Sequence, residues 1–110
     1  MRGYAARTDA NQPDIVKMFR SMGATVAITA NAGSGFPDLV VGYKHVNLLV
    51  EVKDPEQPTS NQKLTPKQVE FHENWRGQIC VVKTQDEAME LINQIILEEL
   101  ESHDTQLREQ

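Results

Sequence analysis

The chain of 110 residues contains one cysteine, Cys80. A lone thiol forms no internal disulfide and excludes a Cys-rich zinc site. Set in the apolar run ICVV, it reads as a buried thiol in a protein of a reducing compartment. No stretch approaches the roughly 18 consecutive apolar residues of a membrane span, and the opening MRGYAARTDANQ lacks an apolar signal core, so a cytoplasmic protein with no membrane partner is expected. The three histidines show neither HExxH nor a facing-pair spacing, which argues against zinc. There is no GxxxxGK run, so Ser34 between Gly33 and Gly35 makes no nucleotide-binding case by itself. Positive charge is also short: 11 Lys and Arg stand against 16 Asp and Glu, a formal net charge of −5. Affinity for nucleic acid comes mostly from basic side chains on phosphates. The shortage is local, however. From Asp86 onward eight acids face Arg108 alone, which leaves eight acids and ten bases in the first 85 residues. Phosphate binding therefore stays open.

What remains is the composition of a globular protein, 39% hydrophobic and 25% charged, without repeats or low-complexity tracts. Residues 1–110 read as a single domain with one core. Asn11 is a good N-cap, Pro13 suits a first helical turn, and Ile15, Met18, Phe19 and Met22 follow at helical spacing before Gly23 ends the helix. ATVAITAN, DLVV and NLLVEVK read as three strands, the last two joined by GYKH as a hairpin. DPEQPTSNQK reads as loop. A second helix opens at Thr65-Pro66 with Gln68 at its third position, and carries Phe71 and Trp75. QICVVK is a short strand. The last helix is capped by Thr84 and Glu87, with Ala88, Leu91, Ile92, Ile95 and Ile96 as its buried stripe. The tail 102–110 has few anchors and frays or extends that helix in solvent. The predicted order is α-β-β-β-α-β-α, an α/β fold with a central mixed β-sheet flanked by helices on both faces.

Within this pattern three charged residues occupy the best strand-forming sequence. Glu51 and Lys53 alternate with Val50 and Val52 and so share a face, and Asp38 opens the strand that pairs with theirs. Cross-strand spacing brings the three within about 4–8 Å of one another. Two carboxylates that close repel unless a cation lies between them, and an oxygen-rich pair suits Mg²⁺ or Mn²⁺, with the Val52 carbonyl as a further donor. A lysine beside them suits an attacking water or a charged transition state. The competing reading is an ordinary ion pair on the solvent face of an edge strand, with Asp38 as a turn residue after Pro37.

PD at 37–38, a 12-residue gap and EVK at 51–53 resemble the PD-(D/E)xK nuclease motif. The flanking pieces GSGFPDLVVG, LLVEVKDP, KLTPKQVEFHENWRGQICVV and DEAM are similar to the small stand-alone phage members of the VRR-NUC family, over roughly residues 9–92. The resemblance implies a restriction-endonuclease-like core and a Mg²⁺- or Mn²⁺-dependent deoxyribonuclease. In it Asp38 and Glu51 bind the metal, Lys53 serves the water or the transition state, and Gln68 sits beside the site. Relatives often add an acid from the first helix, for which Asp9, Asp14 and the uncharged Gln12 are the candidates here. Gln68 is equally explained as the return partner of a Thr65 capping box, and Asp14 as a capping residue. The resemblance further implies a homodimer acting on branched DNA such as Holliday junctions, in the host cytoplasm for a phage protein. Lys63, Lys67 and Arg76 are the candidate backbone contacts. A catalytically inactive nuclease-like module for DNA binding or assembly is the alternative.

Overall fold

The computed structural model describes residues 9–109, with side chains to residue 103. Residues 1–8 and Gln110, the outer end of the expected tail, lie outside the described residues. Helix α1 (Gln12–Ser21) leads into strand β1 (Thr25–Ile28). It ends as glycine-terminated helices do: Gly23 takes φ +95°, Gly23 N donates to Arg20 O at 3.1 Å, and Ala24 N donates to Phe19 O at 3.1 Å. Strands β2 (Leu39–Tyr43) and β3 (Val46–Val52) follow as a hairpin whose turn, Lys44-His45, holds both residues at positive φ. After α2 (Thr59–Gln62) and α3 (Pro66–Asn74) come β4 (Ile79–Val82) and α4 (Gln85–Glu109). The order matches the expected one, with α2 added. That single turn forms inside the segment read as loop, where Gln62 Nε2 donates back to Pro55 O and Gln57 O.

The sheet runs β1-β2-β3-β4, antiparallel in its first two pairings and parallel between β3 and β4. One face carries Leu39, Val41, Leu48, Val50, Val52 and Val82, which pack with Ile15, Val16 and Phe19 of α1 and Ala88, Ile92 and Ile95 of α4. These buried apolar side chains hold the fold together, and burial of each larger one contributes about 1.5–3 kcal/mol. The opposite face carries Glu51, and there α3 lies with no buried residue of its own. α3 is therefore positioned by the Gln68 bonds to Glu51 and Lys53 and by the close approach of Gly35 to the Lys67 backbone, and contributes little to the core. β3 lies between β2 and β4, and Glu51 and Lys53 are only 2% and 7% exposed, so the reading as a solvent-facing pair on an edge strand is excluded.

Two caps differ from expectation. Asn11 occupies the N-cap position of α1 without a side-chain cap bond. Its amide instead donates to Lys53 O at 3.0 Å and to Lys83 O at 2.8 Å, clasping together the chain just past β3 and just past β4. At α4, Glu87 N donates to Thr84 Oγ1 at 3.0 Å, but the carboxylate of Glu87 accepts from Lys83 N at 2.7 Å and not from Thr84. Cys80, expected buried, is half-buried, and its thiol is pushed up to about 11 by desolvation, which keeps it protonated and unreactive. Among the described residues no helix is long and apolar enough to cross a membrane.

Candidate active site

The antiparallel register pairs Leu39 with Val50, which sets Asp38 opposite Glu51 one step further along. The Pro37-Asp38 backbone is tied to the chain after β1: Thr29 N donates to Asp38 O at 2.7 Å and Thr29 Oγ1 to Pro37 O at 2.8 Å. Asp38 then turns its carboxylate across the pair, and its Oδ2 accepts from Val52 N at 2.8 Å. A charged acceptor on a backbone N–H makes a strong bond, and here it fixes one carboxylate against the neighbouring strand.

Gln68 organises the other three groups. Its backbone N–H donates to Thr65 Oγ1 at 3.3 Å and its Oε1 accepts from Thr65 N at 2.9 Å, a complete capping box. The same Oε1 accepts from Lys53 Nζ at 2.9 Å, while Nε2 donates to Glu51 Oε2 at 3.0 Å. The helix start and the Glu51 and Lys53 side chains thus share one amide: Gln68 closes the capping box and lies beside the carboxylates at once. Glu51 Oε1 is buried with no donor. Burial raises the Glu51 carboxyl far above its ordinary range. A hydrogen bond with the Asp38 side chain, which requires a shared proton, and the charge of Asp38 push the same way, and Lys53 offsets part of the rise.

These groups line a cleft of about 310 Å³ together with Asp9, Phe36, Val52, Asn61 and Lys67. Of the three candidates at the start of the chain, only Asp9 enters it. Its carboxyl is raised by burial and then by the charge of Asp38, against the pull of Lys53. Gln12 is buried at 3% exposure with Oε1 unpartnered, but does not line the cleft. Asp14 is exposed in the first turn of α1 and is not part of the cleft. Lys63 and Arg76 are exposed and outside the cleft, whereas Lys67 is exposed on its rim. His72, half-buried one turn after Gln68, has a buried Nε2 without a partner, and burial and the charge of Lys53 lower its basicity. Neither Asn61 nor Phe36 stood out in the sequence, since a polar residue in a one-turn helix and an aromatic before Pro37 carry no spacing signal. A larger groove of about 570 Å³ between the hairpin and α4 is lined by Val46, Ile95, Ile96 and Leu100 with charged residues at its rim, away from the carboxylates.

The donor set fits a divalent cation. Two carboxylates lie together in the cleft, Glu51 Oε1 has no hydrogen-bond partner, and both Glu51 and Asp9 are held toward protonation first by burial and then by Asp38, whose charge a cation would offset. Among the described residues no three His, Cys, Asp or Glu side chains form a group able to hold an ion alone. Such an ion would keep several waters, as Mg²⁺ prefers.

A mixed sheet with helices on both faces and a carboxylate pair across its two central strands defines an α/β protein of the restriction-endonuclease-like class. A solved structure described as a VRR_NUC domain matches it with a TM-score of 0.59 and 31% sequence identity, over 74% of this chain and 89% of that one. The chain belongs to the VRR-NUC family. No family profile and no curated protein sequence matches it.

Proposed function

We propose that the protein is a metal-dependent DNA endonuclease of the PD-(D/E)xK type. The observation that carries this reading is the shared network in which Gln68 bonds Glu51 and Lys53 while Asp38 is fixed opposite, with Glu51 Oε1 buried and without a hydrogen-bond partner beside the cleft. A purely structural polar cluster would satisfy all its donors and acceptors, whereas Lys53 Nζ here donates to Gln68 and the Asp38–Glu51 pair is satisfied only by a shared proton or a cation. Asp38 and Glu51, with the Val52 carbonyl and Asp9 through water, would hold Mg²⁺ or Mn²⁺. When bound, such a metal polarises the phosphodiester and lowers the pKa of a water. Gln68 keeps the Lys53 ammonium beside the carboxylates, where it orients the attacking water or offsets charge on the phosphorane-like transition state. Lys67 at the rim receives the flanking phosphate. Against the inactive DNA-binding module stands Lys53, whose ammonium is buried at a desolvation cost beside the two carboxylates yet donates to Gln68.

The favoured substrate is branched DNA, with two copies of the chain presenting two sites to two strands. Support for a second copy comes from α4, whose outer half holds Leu97 and Leu100 at 51% and 56% exposure. Incubation with labelled four-way, flap and linear DNA in Mg²⁺ or Mn²⁺ tests the reading. Cutting that stops in excess chelator, and in Asp38→Ala, supports it, and undiminished cutting in chelator refutes it. Preference for linear duplex over the branched forms removes the junction assignment.

A further inference from the structure

Three aromatic rings lead from the carboxylate cleft to the surface. Phe36 lines the cleft and meets Phe71 edge-on, with centroids 5.3 Å apart at 69°. Phe71 in turn stacks on Trp75 at 5.3 Å and 16°. This gives Phe71 a place within the fold that its sequence position did not reveal. Trp75 is different. Phe71 covers one face of the indole and Gly77 lies against its Nε1 edge, where a Cβ would stand 2.9 Å from that nitrogen. Even so, 42% of Trp75 is exposed. With one face and one edge occupied, the outer ring surface is what remains open. The largest apolar side chain in the chain is thus held flat and presented outward, at the end of a helix that has no role in the core.

A hollow of about 210 Å³ runs along this ring, lined by Ser34, Lys67, Glu70, Phe71, Asn74 and Trp75. Lys67 lines both this hollow and the carboxylate cleft, so the two adjoin at this one basic residue. That succession of carboxylates, cation and aromatic face matches a strand of nucleic acid passing from phosphate to base. Within a duplex each base is covered on both faces by its neighbours, so away from a helix end only an unpaired base can lie on a protein ring.

We propose that Trp75 is a stacking platform for an unpaired nucleobase beside the cleft, with Lys67 on the adjoining phosphate and Asn74 and Glu70 facing the base edge. The proposal rests on the nucleic-acid reading of the cleft and narrows its substrate to DNA with unpaired nucleotides next to the scissile bond, as at a fork or an open junction. Stacking tolerates any base, so little sequence preference follows.

Trp75 is the single tryptophan of the chain, so its fluorescence reports on the platform without a label. The native protein in chelator is titrated with an oligothymidylate single strand and, separately, with a blunt duplex of equal length. Saturable quenching by the single strand and little by the duplex is expected. By anisotropy of labelled DNA, Trp75→Ala should weaken single-strand binding about 10-fold, more than it weakens duplex binding, and Trp75→Phe should recover most of that loss. The two forms of DNA quenching alike, or Trp75→Ala binding the single strand as tightly as the native chain, overturns the proposal. Emission that changes with protein concentration alone, and not with DNA, assigns the ring to a contact between copies and overturns it too. The native titration and Trp75→Phe decide the matter even should the alanine variant not fold. Cleavage assays separate the two ideas. Quenching without any cutting in Mg²⁺ leaves the platform and removes the nuclease, whereas cutting of paired and unpaired strands unaffected by Trp75→Ala does the reverse.

Discussion

Replacing Glu51 with glutamine isolates the buried carboxyl pair. In the native chain, burial, the hydrogen bond with Asp38 and the charge of Asp38 push this group from its ordinary 4.5 to about 9. The folded state therefore keeps a proton that the unfolded chain has lost. This stabilises the fold fully below about 4.5, and the contribution disappears as the pH climbs through about 9. Stability falls with rising pH, by at most about 1.4 kcal/mol per pH unit for one proton. Three other groups shift: Asp9, raised by burial and by Asp38, adds a falling slope above its ordinary 3.8 in native protein and variant alike, and the other two define where to look. His72, with its basicity lowered, gives a slope of the opposite sign below its ordinary 6.5, and Cys80, raised to about 11, adds a falling slope from its ordinary 9 up to about 11. Between about pH 7 and 8.5 both are quiet. Over that span the native protein in chelator should lose about 1–2 kcal/mol in urea denaturation, and Glu51→Gln much less. Millimolar Mg²⁺ should restore the native protein most at the upper end, where the cation replaces the proton, and should do little for the variant. Parallel pH slopes for the two proteins would refute the reasoning, since Glu51 would then be ionised in the fold at neutral pH.

Lys53→Ala should leave metal affinity equal or slightly higher by calorimetry, while turnover falls roughly 100-fold or more, as for a group acting mainly in the transition state; loss of metal instead would make Lys53 a structural member of the site. Gly35→Ala should destabilise by more than about 1 kcal/mol, because φ is +79° and the new Cβ would stand 2.5 Å from Lys67 O. Its cleavage should fall further than its stability at a temperature where it is folded, since the same clash displaces the first turn of α3 and with it Gln68. If the proposed second copy binds through α4, the native chain scatters as a salt-resistant dimer and Leu97→Glu with Leu100→Glu as a species of 12.4 kDa; a native chain of that mass at both low and high salt removes the second copy from the scheme.

Local sequence determined most of the elements. Pro66 after Thr65, Gly23 after a helical stripe, and alternating Val and Leu act over a few residues, and each of these signals produced its element. It also determined the candidate pair, since a strand's two-residue period alone puts Glu51 and Lys53 on one face. Tertiary structure decided everything that depends on which segments meet. Asn11 is a good cap by type, yet its amide is drawn to two carbonyls at Lys53 and Lys83, 42 and 72 residues away, because the ends of β3 and β4 converge there. Asp9 and Asp14 are equivalent as letters, and only the start of α1 decides that one faces the cleft and the other solvent. Gln68 serves the helix cap and the charged pair at once, which no spacing rule expresses, because the second role exists only where α3 crosses β3. The outward face of Trp75 is of the same kind: helical spacing stacks it on Phe71, but its exposure was set by how little of α3 the sheet covers.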